Sequence, residues 1–397
     1  MQGPLSRRLP FLLLSLALVL PLGGALVALD RPGKEPDDDS LYKYLTVFTE
    51  ALGLVRNAYV EPTDPERLLA RALDGAMDAL GPFALFVPAE GVKPYLAAAK
   101  VGTGHSGVRL GRERGVTFAV RVEEGSPAAV AEVEPGDILA MIGPDSTRDL
   151  AHWEVEARLA GPAGTRLETE WIHHGKPRKV TLELGPYPAA APTLREERGV
   201  AVIRLPWLGE AQVAHFETLL ASPLVQRRPR RLLLDLRGTD GSDERLAYRV
   251  AGLFADGELG RLTARGKVLE RFADESPDRF RGELVVLVDR ATIGAGELLA
   301  EALRERAGAR LVGRRTFGYT GREENVALTG GGRLRLATAF YTGPTGEVSD
   351  AGLVPDLKVE EESGRFGDKD VPLSELTLRK GLALLLGEEK LPEKQAA

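Results

Sequence analysis

The sequence contains no cysteine. This absence excludes disulfide bonds, zinc sites built on thiolates and cysteine nucleophiles. An excess of basic residues is also lacking, because 52 lysines and arginines stand against 58 aspartates and glutamates, for a net charge of −6. Nucleic acid is therefore not expected as a partner, since phosphate binding needs a net basic face. The basic run 227–231 is expected to be a solvated connector.

The composition is that of a globular protein, with 43% hydrophobic and 28% charged residues. These proportions exclude a disordered chain and a membrane protein with many spans. Glycine and proline number 45 and 26, but they are spread along the chain and form no low-complexity segment. At about 150 residues per domain, a chain of 397 residues is expected to form two or three domains.

The amino terminus has the pattern of a targeting segment. An uncharged run, 9–29, follows the basic pair Arg7 and Arg8. A helix of about 20 apolar residues can span a bilayer, and arginines before it keep that end inside. Residues 1–29 are therefore predicted to be a signal peptide or a membrane anchor, with 9–29 as the anchoring run. Both alternatives export the rest of the chain to the periplasm or another extracytoplasmic compartment.

The next segment, 41–100, follows a polar linker and is predicted to be helical. Apolar residues recur at spacings of three and four in 45–55 and again in 68–77, which is the pattern of one apolar helix face. The run 62–65 (Pro-Thr-Asp-Pro) separates the two helices. This helical amino-terminal domain has no visible chemistry.

Residues 104–188 change to the period of strands. Apolar and polar residues alternate in 116–122 and in 167–171, which predicts strands. Two glycine turns lie between them, Gly-Ser-Pro-Ala at 125–128 and Pro-Gly-Asp-Ile-Leu at 135–139. The residues alone leave open a small β-barrel with glycine turns and no ligand.

With Gly-Val-Arg-Leu in front of them, these motifs arrive in the order found in a PDZ domain of bacterial proteases, which 104–188 resembles. The resemblance implies a β-barrel that binds an extended carboxy-terminal peptide by strand addition, while backbone N–H groups of a glycine loop hold the peptide carboxylate. The peptide-binding loop would consist of Gly107, Val108, Arg109 and Leu110.

Residues 195–360 have the pattern of an α/β core. Continuous apolar runs at 200–205, 232–236 and 284–288 predict strands that are buried on both faces. Helical patterns lie between or after these runs, over 215–220 and 243–254 and from Ala295 onward. Residues 361–397 are predicted to form a carboxy-terminal helix and tail.

The exported region, from about 41 to 359, resembles the carboxy-terminal processing (tail-specific) peptidases, a serine/lysine family with a PDZ domain. Four motifs carry the resemblance: Asp-Leu-Arg at 235–237, Thr-Phe-Gly at 316–318, Phe-Tyr-Thr-Gly-Pro-Thr-Gly at 340–346 and Gly-Leu-Val-Pro-Asp at 352–356. It implies a multidomain α+β and α/β protein, in which a helical unit and a PDZ β-barrel precede a crotonase-like α/β peptidase core.

The family's catalytic positions are changed in this chain. The family's nucleophile is the third residue of a Ser-Ala-Ser-Ala-Ser-Glu run, which reads Thr-Ile-Gly-Ala-Gly-Glu at 292–297, so that Gly294 takes its place. The family's general-base lysine follows Thr-Phe-Gly, 25 residues after the nucleophile, and this position is Tyr319. Glycine has no side chain to attack a carbonyl, and a tyrosine base would have nothing beside it to activate.

Supporting positions depart from the family as well. The acidic position eleven residues after the nucleophile is Glu305 rather than aspartate. The Gly-Gly pair that shapes the family's oxyanion region reads Gly241 and Ser242, and the preceding asparagine reads Gly238 or Thr239 according to the register. Several losses in an otherwise well-matched frame indicate that no catalytic set is intact.

Replacement chemistry has little support in the sequence. Thr292 is expected to point away from the vacant position, and Ser242 has no evident base near it. No His-Glu-x-x-His motif is present, and His173 and His174 are adjacent on a predicted strand, so their side chains are expected to face opposite ways. The glycines at 294–296 are better explained as tight-turn residues than as a dinucleotide loop. No metal or cofactor is expected.

Three hypotheses of different classes remain. The first is an exported, non-peptidolytic scaffold that binds the carboxy-terminal tails of unfolded or exported proteins. The second is an active serine-type endopeptidase with a non-standard nucleophile. The third is a regulator that pairs with an active paralogue or with a second copy of the chain. The combined loss of nucleophile and base favours the first and the third.

Overall fold

The computed structural model describes residues 38–98, 100, 104–274, 279–346, 351–360 and 372–391. The signal or anchor segment predicted over 1–29 lies outside these residues. Among the helices that are described, none is both long and apolar enough to cross a membrane.

The amino-terminal segment is not helical throughout. Its helices are Asp38–Ala58 (α1), Pro65–Asp78 (α2) and Ala89–Ala98 (α3), and its strand is Leu85–Val87 (β1). The prediction of a purely helical domain over 41–100 is therefore wrong at β1. A short apolar run between Pro82 and Pro88 cannot continue a helix, and β1 instead pairs with a strand near the end of the chain, Arg333–Thr342.

An antiparallel sheet forms the second unit. Its strands and the short strands beside it are Gly104–His105 (β2), Val108–Glu113 (β3), Val116–Val122 (β4), Ile138–Ile142 (β5), Asp145–Ser146 (β6), Ala160–Gly161 (β7), Arg166–His173 (β8) and Lys176–Glu183 (β9). The helices of this unit are Pro127–Val130 (α4) and His152–Arg158 (α5). The strand order is β3-β4-β5-β8-β9, so β3 lies at one edge, and the fully buried Trp171 belongs to a hydrophobic core of its own.

The third unit is built on a mostly parallel sheet of six strands. Its strands, in spatial order, are Thr193–Glu197 (β10), Val200–Arg204 (β11), Arg231–Asp235 (β13), Glu283–Val288 (β17), Arg310–Gly313 (β18) and Leu357–Lys358 (β21). Two short strands, Trp207–Leu208 (β12) and Asp240–Gly241 (β14), pair beside it. The helices are Glu210–Leu220 (α6), Pro223–Gln226 (α7), Arg245–Gly252 (α8), Ala295–Ala307 (α9) and Leu373–Leu385 (α10).

Helices cover both faces of this sheet, because alternate strand residues face opposite ways. Leu232, Leu234 and Val286 pack in the core that contains α6, α8 and α9 residues. Leu233 and Val285 pack on the other face, in the core that contains residues of α10. The continuous apolar runs of the sequence thus form strands that are buried on both sides, as predicted.

A second sheet joins this unit to the amino-terminal segment. It contains Gly257–Ala264 (β15), Lys267–Asp274 (β16), Gly321–Ala327 (β19), Arg333–Thr342 (β20) and β1, with β20 between β1 and β15. β1 and β20 pair in antiparallel fashion over three residue pairs. The amino-terminal segment is therefore part of the α/β unit's architecture.

Candidate functional site

The turn that carries Gly294 joins the carboxyl end of β17 to the amino end of α9. Gly294 is the N-cap of α9, with φ 55° and ψ −118°. A positive φ of this size is unfavourable for residues other than glycine. The N–H of Gly294 donates a hydrogen bond to the carbonyl oxygen of Tyr319, at 3.1 Å. The structure therefore brings the two positions of the family frame together, through their backbones.

A carboxylate fills the space into which a side chain at position 294 would project. A Cβ atom built on Gly294 would lie 2.8 Å from Oδ1 of Asp240, the nearest atom to it. Asp240 is buried on β14, where its Oδ1 accepts the N–H of Gly241 at 2.8 Å and its Oδ2 pairs with Nη1 of Arg109 at 2.5 Å. A serine at position 294 would meet both an unfavourable φ and this carboxylate. Replacing Gly294 and Tyr319 alone would not rebuild the family's dyad.

The Tyr319 side chain packs among aromatic rings. Its ring meets the Phe83 ring edge to face at 4.6 Å and lies 6.5 Å from the ring of Phe340. Its hydroxyl lies over Gly321, and its atom nearest to the Cβ position of Gly294 is the carbonyl oxygen, at 3.9 Å. No atom of the Tyr319 ring therefore lies closer to this position than the backbone of Tyr319 does. Burial, with a further contribution from the Glu323 charge, raises the pKa of Tyr319, so the hydroxyl stays protonated and is a poor base.

Glu297 holds the Thr-Phe-Gly turn against the start of α9. Its Oε1 accepts hydrogen bonds from the Thr316 hydroxyl at 2.5 Å and the Gly318 N–H at 2.7 Å. Its Oε2 accepts the N–H groups of Tyr319 at 3.0 Å and Gly294 at 3.2 Å. Burial raises the pKa of this carboxyl to about 7, although all four donors favour the ionised form. The sequence identified Glu297 only as the last residue of its motif.

The Asp-Leu-Arg motif is a buried ion pair at the end of β13. Asp235 accepts hydrogen bonds from Nε of Arg237 at 2.8 Å and from Nη2 at 2.6 Å. Burial opposes ionisation of Asp235, but the hydrogen bonds and charge of Arg237 hold its pKa below the usual value. Because its two charged residues pair with each other, the Asp-Leu-Arg motif has a structural role at the end of β13.

Thr292, the first alternative nucleophile, does not reach the site. Its hydroxyl is fully buried and donates to the carbonyl oxygen of Leu236 at 2.8 Å, while accepting the N–H of Asp289 at 3.0 Å. These two hydrogen bonds hold the Thr292 hydroxyl within the turn.

The oxyanion-region pair does lie beside the start of α9. A Cβ atom on Gly241 would come within 2.7 Å of Cβ of Ala295, which explains the glycine. Ser242 is exposed, and its N–H donates to the carbonyl oxygen of Leu208 at 3.0 Å. Its hydroxyl also lies 3.4 Å from that oxygen.

Glu305 is not part of this arrangement. Eleven residues along a helix correspond to about 16 Å of rise, which places Glu305 near the far end of α9. There it is exposed and pairs with its neighbour Arg304 at 2.9 Å. The structure gives Glu305 no contact with residue 294 that would recreate the family's acidic group.

The loop predicted to bind peptides has two parts. A Cβ on Gly107, whose φ is 78°, would lie 2.1 Å from Cβ of Ser126, so only glycine fits there. The Val108 N–H donates a weak hydrogen bond to Oγ of Ser106, at 3.4 Å. Leu110 is buried. Arg109 instead extends into the α/β unit, as described next.

Arg109 links the antiparallel sheet to the candidate site. Besides Asp240, its guanidinium pairs with Glu323 on β19 at 3.0 Å and lies 4.3 Å over the centre of the Phe83 ring. The Arg109 side chain is 31% exposed. A residue expected to contact a peptide carboxylate therefore lies between two carboxylates of this chain.

The two neighbouring histidines are not placed as expected. β8 ends at His173, and His174 is the first residue of the turn into β9, with φ 46°. Their rings meet edge to face at 4.2 Å rather than facing opposite ways. The rule of alternating side chains fails here because the turn, not the strand, sets the direction of His174.

Comparison with known proteins agrees with these motifs. Residues 199–359 match the family model of peptidase family S41. A carboxy-terminal-processing protease of Bartonella bacilliformis is 26% identical over 376 residues, which cover 90% of this chain and 85% of that protein. The carboxy-terminal processing protease CtpA of Bacillus subtilis is 23% identical over 317 residues, 77% of this chain and 67% of that protein.

The fold is also similar to a solved structure, the photosystem II D1 C-terminal processing protease. The TM-score is 0.66 at 20% sequence identity, over 85% of this chain and 96% of that one. The family model and the two sequence relatives confirm the resemblance to the carboxy-terminal processing peptidases. The chain carries a peptidase family S41 domain and is a homologue of the carboxy-terminal processing proteases.

Proposed function

We propose that this chain is an exported member of the carboxy-terminal processing family that does not cleave peptides. In this proposal it binds carboxy-terminal peptide tails of unfolded or exported proteins, as a scaffold or regulator. The observation that carries the proposal is the arrangement at position 294. There the residue is glycine, and the space beside it is taken by the ion-paired carboxylate of Asp240.

The surrounding groups support the same conclusion. Covalent acyl transfer needs a nucleophile and a base to take its proton. The Thr292 hydroxyl donates to the Leu236 carbonyl oxygen, and the Tyr319 hydroxyl has a raised pKa and lies beside Gly321. Neither of these groups can therefore serve as the nucleophile or the base at this turn.

One observation favours the alternative of an active peptidase. The exposed Ser242 lies two residues before Glu244, a partly buried carboxyl whose pKa is raised to about 7 by burial, with the Asp240 charge adding to the rise. A carboxyl with a pKa near 7 is suited to act as a general base at neutral pH. We rank this alternative second, because the hydrogen bond of the Ser242 hydroxyl goes to the Leu208 carbonyl oxygen, at 3.4 Å, and not to Glu244.

The purified full-length chain is expected to leave an unfolded protein with an apolar carboxy terminus intact, because no hydroxyl occupies position 294. A fluorophosphonate probe is expected to label no residue stoichiometrically. A carboxy-terminal processing protease that retains its serine, assayed beside it, provides the positive control. Stoichiometric labelling of Ser242, lost in Ser242→Ala, would establish the alternative instead.

Peptide binding is proposed to use the edge of β3. The resemblance of 104–188 to a PDZ domain supports this mode, in which a peptide adds a strand to an exposed sheet edge. Within the described residues, β3 pairs with β4 alone, and on its other side Arg112 donates its N–H to Pro82 at 2.9 Å. The edge near Gly107 and Val108 would receive the peptide terminus.

A peptide that ends in apolar residues with a free carboxylate is expected to bind with a Kd in the micromolar range or weaker. The corresponding binding free energy is no stronger than about −8 kcal/mol. Amidation of the terminus is expected to weaken binding about tenfold, because the backbone donors of the loop lose their anion. Fluorescence anisotropy with the full-length chain measures both. Equal affinity of free and amidated peptides would refute the role of the loop.

A further inference from the structure

Three ligand-type side chains converge at one end of the antiparallel sheet. Glu134, His173 and His174 each offer a ligand atom, and these atoms lie within 4.8 Å of one another. Glu134 precedes β5, whereas the two histidines lie at the turn between β8 and β9. Residues distant in sequence therefore meet at one point, on the part of the sheet formed by β5, β8 and β9 rather than at the β3 edge.

The turn explains why both imidazoles face the same side. His174 has φ 46° and Gly175 has φ 75°, and the flanking residues His173 and Lys176 form the last pair of the hairpin. Two consecutive positive φ values define the tight two-residue turn that suits the twist of a hairpin. This geometry brings the His174 ring to 4.2 Å from the His173 ring.

The buried carboxylate of Asp137 contacts two members of the cluster, His173 and Glu134. Oδ1 of Asp137 lies 2.8 Å from Nδ1 of His173, and Oδ2 of Asp137 accepts the N–H of Glu134 at 3.0 Å. The Asp137 side chain is 5% exposed. A carboxylate bonded to one imidazole nitrogen is the usual outer partner of a histidine that binds metal with its other nitrogen. With Nδ1 bonded to Asp137, Nε2 is the nitrogen of His173 that remains to bind a ligand.

We propose that Glu134, His173 and His174 form a binding site for Zn²⁺, with Asp137 as the positioning residue. Two imidazoles and one carboxylate are a donor set suited to zinc, with water as the fourth ligand. Mg²⁺ and Ca²⁺ prefer sites built from oxygen alone. The ion would tie the segment before β5 to the β8–β9 hairpin. Such a clamp would stabilise the sheet in a chain that has no cysteine for a disulfide.

Calorimetric titration of the metal-free full-length chain with ZnCl₂ tests the site. We expect one Zn²⁺ per chain and a rise in Tm on binding that EDTA reverses, because metal that binds only the folded chain stabilises it. MgCl₂ in excess is expected not to compete. If no Zn²⁺ binds, or if excess Mg²⁺ displaces it, the proposal is wrong.

Variants locate the binding. His174→Asn removes the imidazole but keeps a residue that tolerates positive φ, and it is expected to weaken Zn²⁺ binding at least about tenfold. Asp137→Asn is expected to weaken binding by about 10 to 100-fold, with the Tm of the zinc-free protein reporting any structural loss separately. The control is His215→Ala, at an exposed histidine on α6, which is expected to bind as the parent does. Unchanged binding in His174→Asn, or its loss in His215→Ala, would place the zinc elsewhere.

Discussion

Glu297→Ala is expected to lower the free energy of unfolding by about 3 kcal/mol or more. The Glu297 carboxyl accepts hydrogen bonds from three backbone N–H groups and one hydroxyl, and it is buried. Each buried donor left without a partner costs about 1–3 kcal/mol. Chemical denaturation monitored by circular dichroism measures the loss.

The control is Glu305→Ala, because Glu305 lies on the same helix but is exposed and pairs only with its neighbour Arg304 among the ion pairs described. Surface substitutions of this kind usually change stability by less than about 0.5 kcal/mol. Equal, small losses in the two variants would show that the turn at 316–319 does not depend on Glu297.

The Glu297 carboxyl also makes the stability of the folded chain depend on pH. Its pKa is raised from 4.5 to about 7 in the folded chain, first of all by burial. The folded state therefore holds this proton more tightly than the unfolded state between these two pH values, and the slope of stability against pH from this group is negative. Its stabilising contribution is complete below pH 4.5 and is lost as the pH rises through 7. Comparison of Glu297→Ala with the parent at several pH values isolates this contribution.

The strands of the α/β unit were predictable because burial on both faces leaves a plain signal. The runs at 200–205, 232–236 and 284–288 contain few polar residues, and each coincides with a strand of the six-stranded sheet. The meeting of positions 294 and 319 followed from motif spacing, through the resemblance to the family. Both inferences rest on local pattern.

What the sequence did not reveal depends on contacts between distant segments. Asp240 lies next to the position of Gly294 because β14 pairs with β12, and no local period marks such a short strand. β1 was missed because three residues carry too weak a pattern without β20 beside them. The direction of Arg109, between Asp240 and Glu323, is likewise set by the packing of two units.

Phe83→Ala is expected to lower the free energy of unfolding by about 3–5 kcal/mol, the usual cost of removing a buried aromatic side chain. Phe83 is 1% exposed and packs with Val120 of the antiparallel sheet and Ile293 of the α/β unit. Its ring also lies 5.8 Å from the ring of Phe317. Thermal and chemical unfolding of the full-length chain measure the loss.

Tyr44→Ala is the matched control, since this α1 tyrosine is 68% exposed and its removal leaves no cavity. Phe83→Leu is expected to lose less than Phe83→Ala, because it leaves the smaller cavity. A loss below about 1 kcal/mol in Phe83→Ala would contradict the packing, because a cavity at a rigid junction has little freedom to collapse.

The Phe83 variant distinguishes two explanations of how the antiparallel sheet and the α/β unit are held together. Ion pairs such as that of Arg109 with Glu323 are partly exposed and are worth at most about 1 kcal/mol each. A fully buried ring that contacts both units contributes several times more. If apolar packing holds the loop at 107–110 beside position 294, Phe83→Ala should reduce the cooperativity of unfolding, whereas 0.5 M NaCl should leave the parent's transition cooperative. A parent transition that separates into two steps in salt would assign the junction to the ion pairs instead.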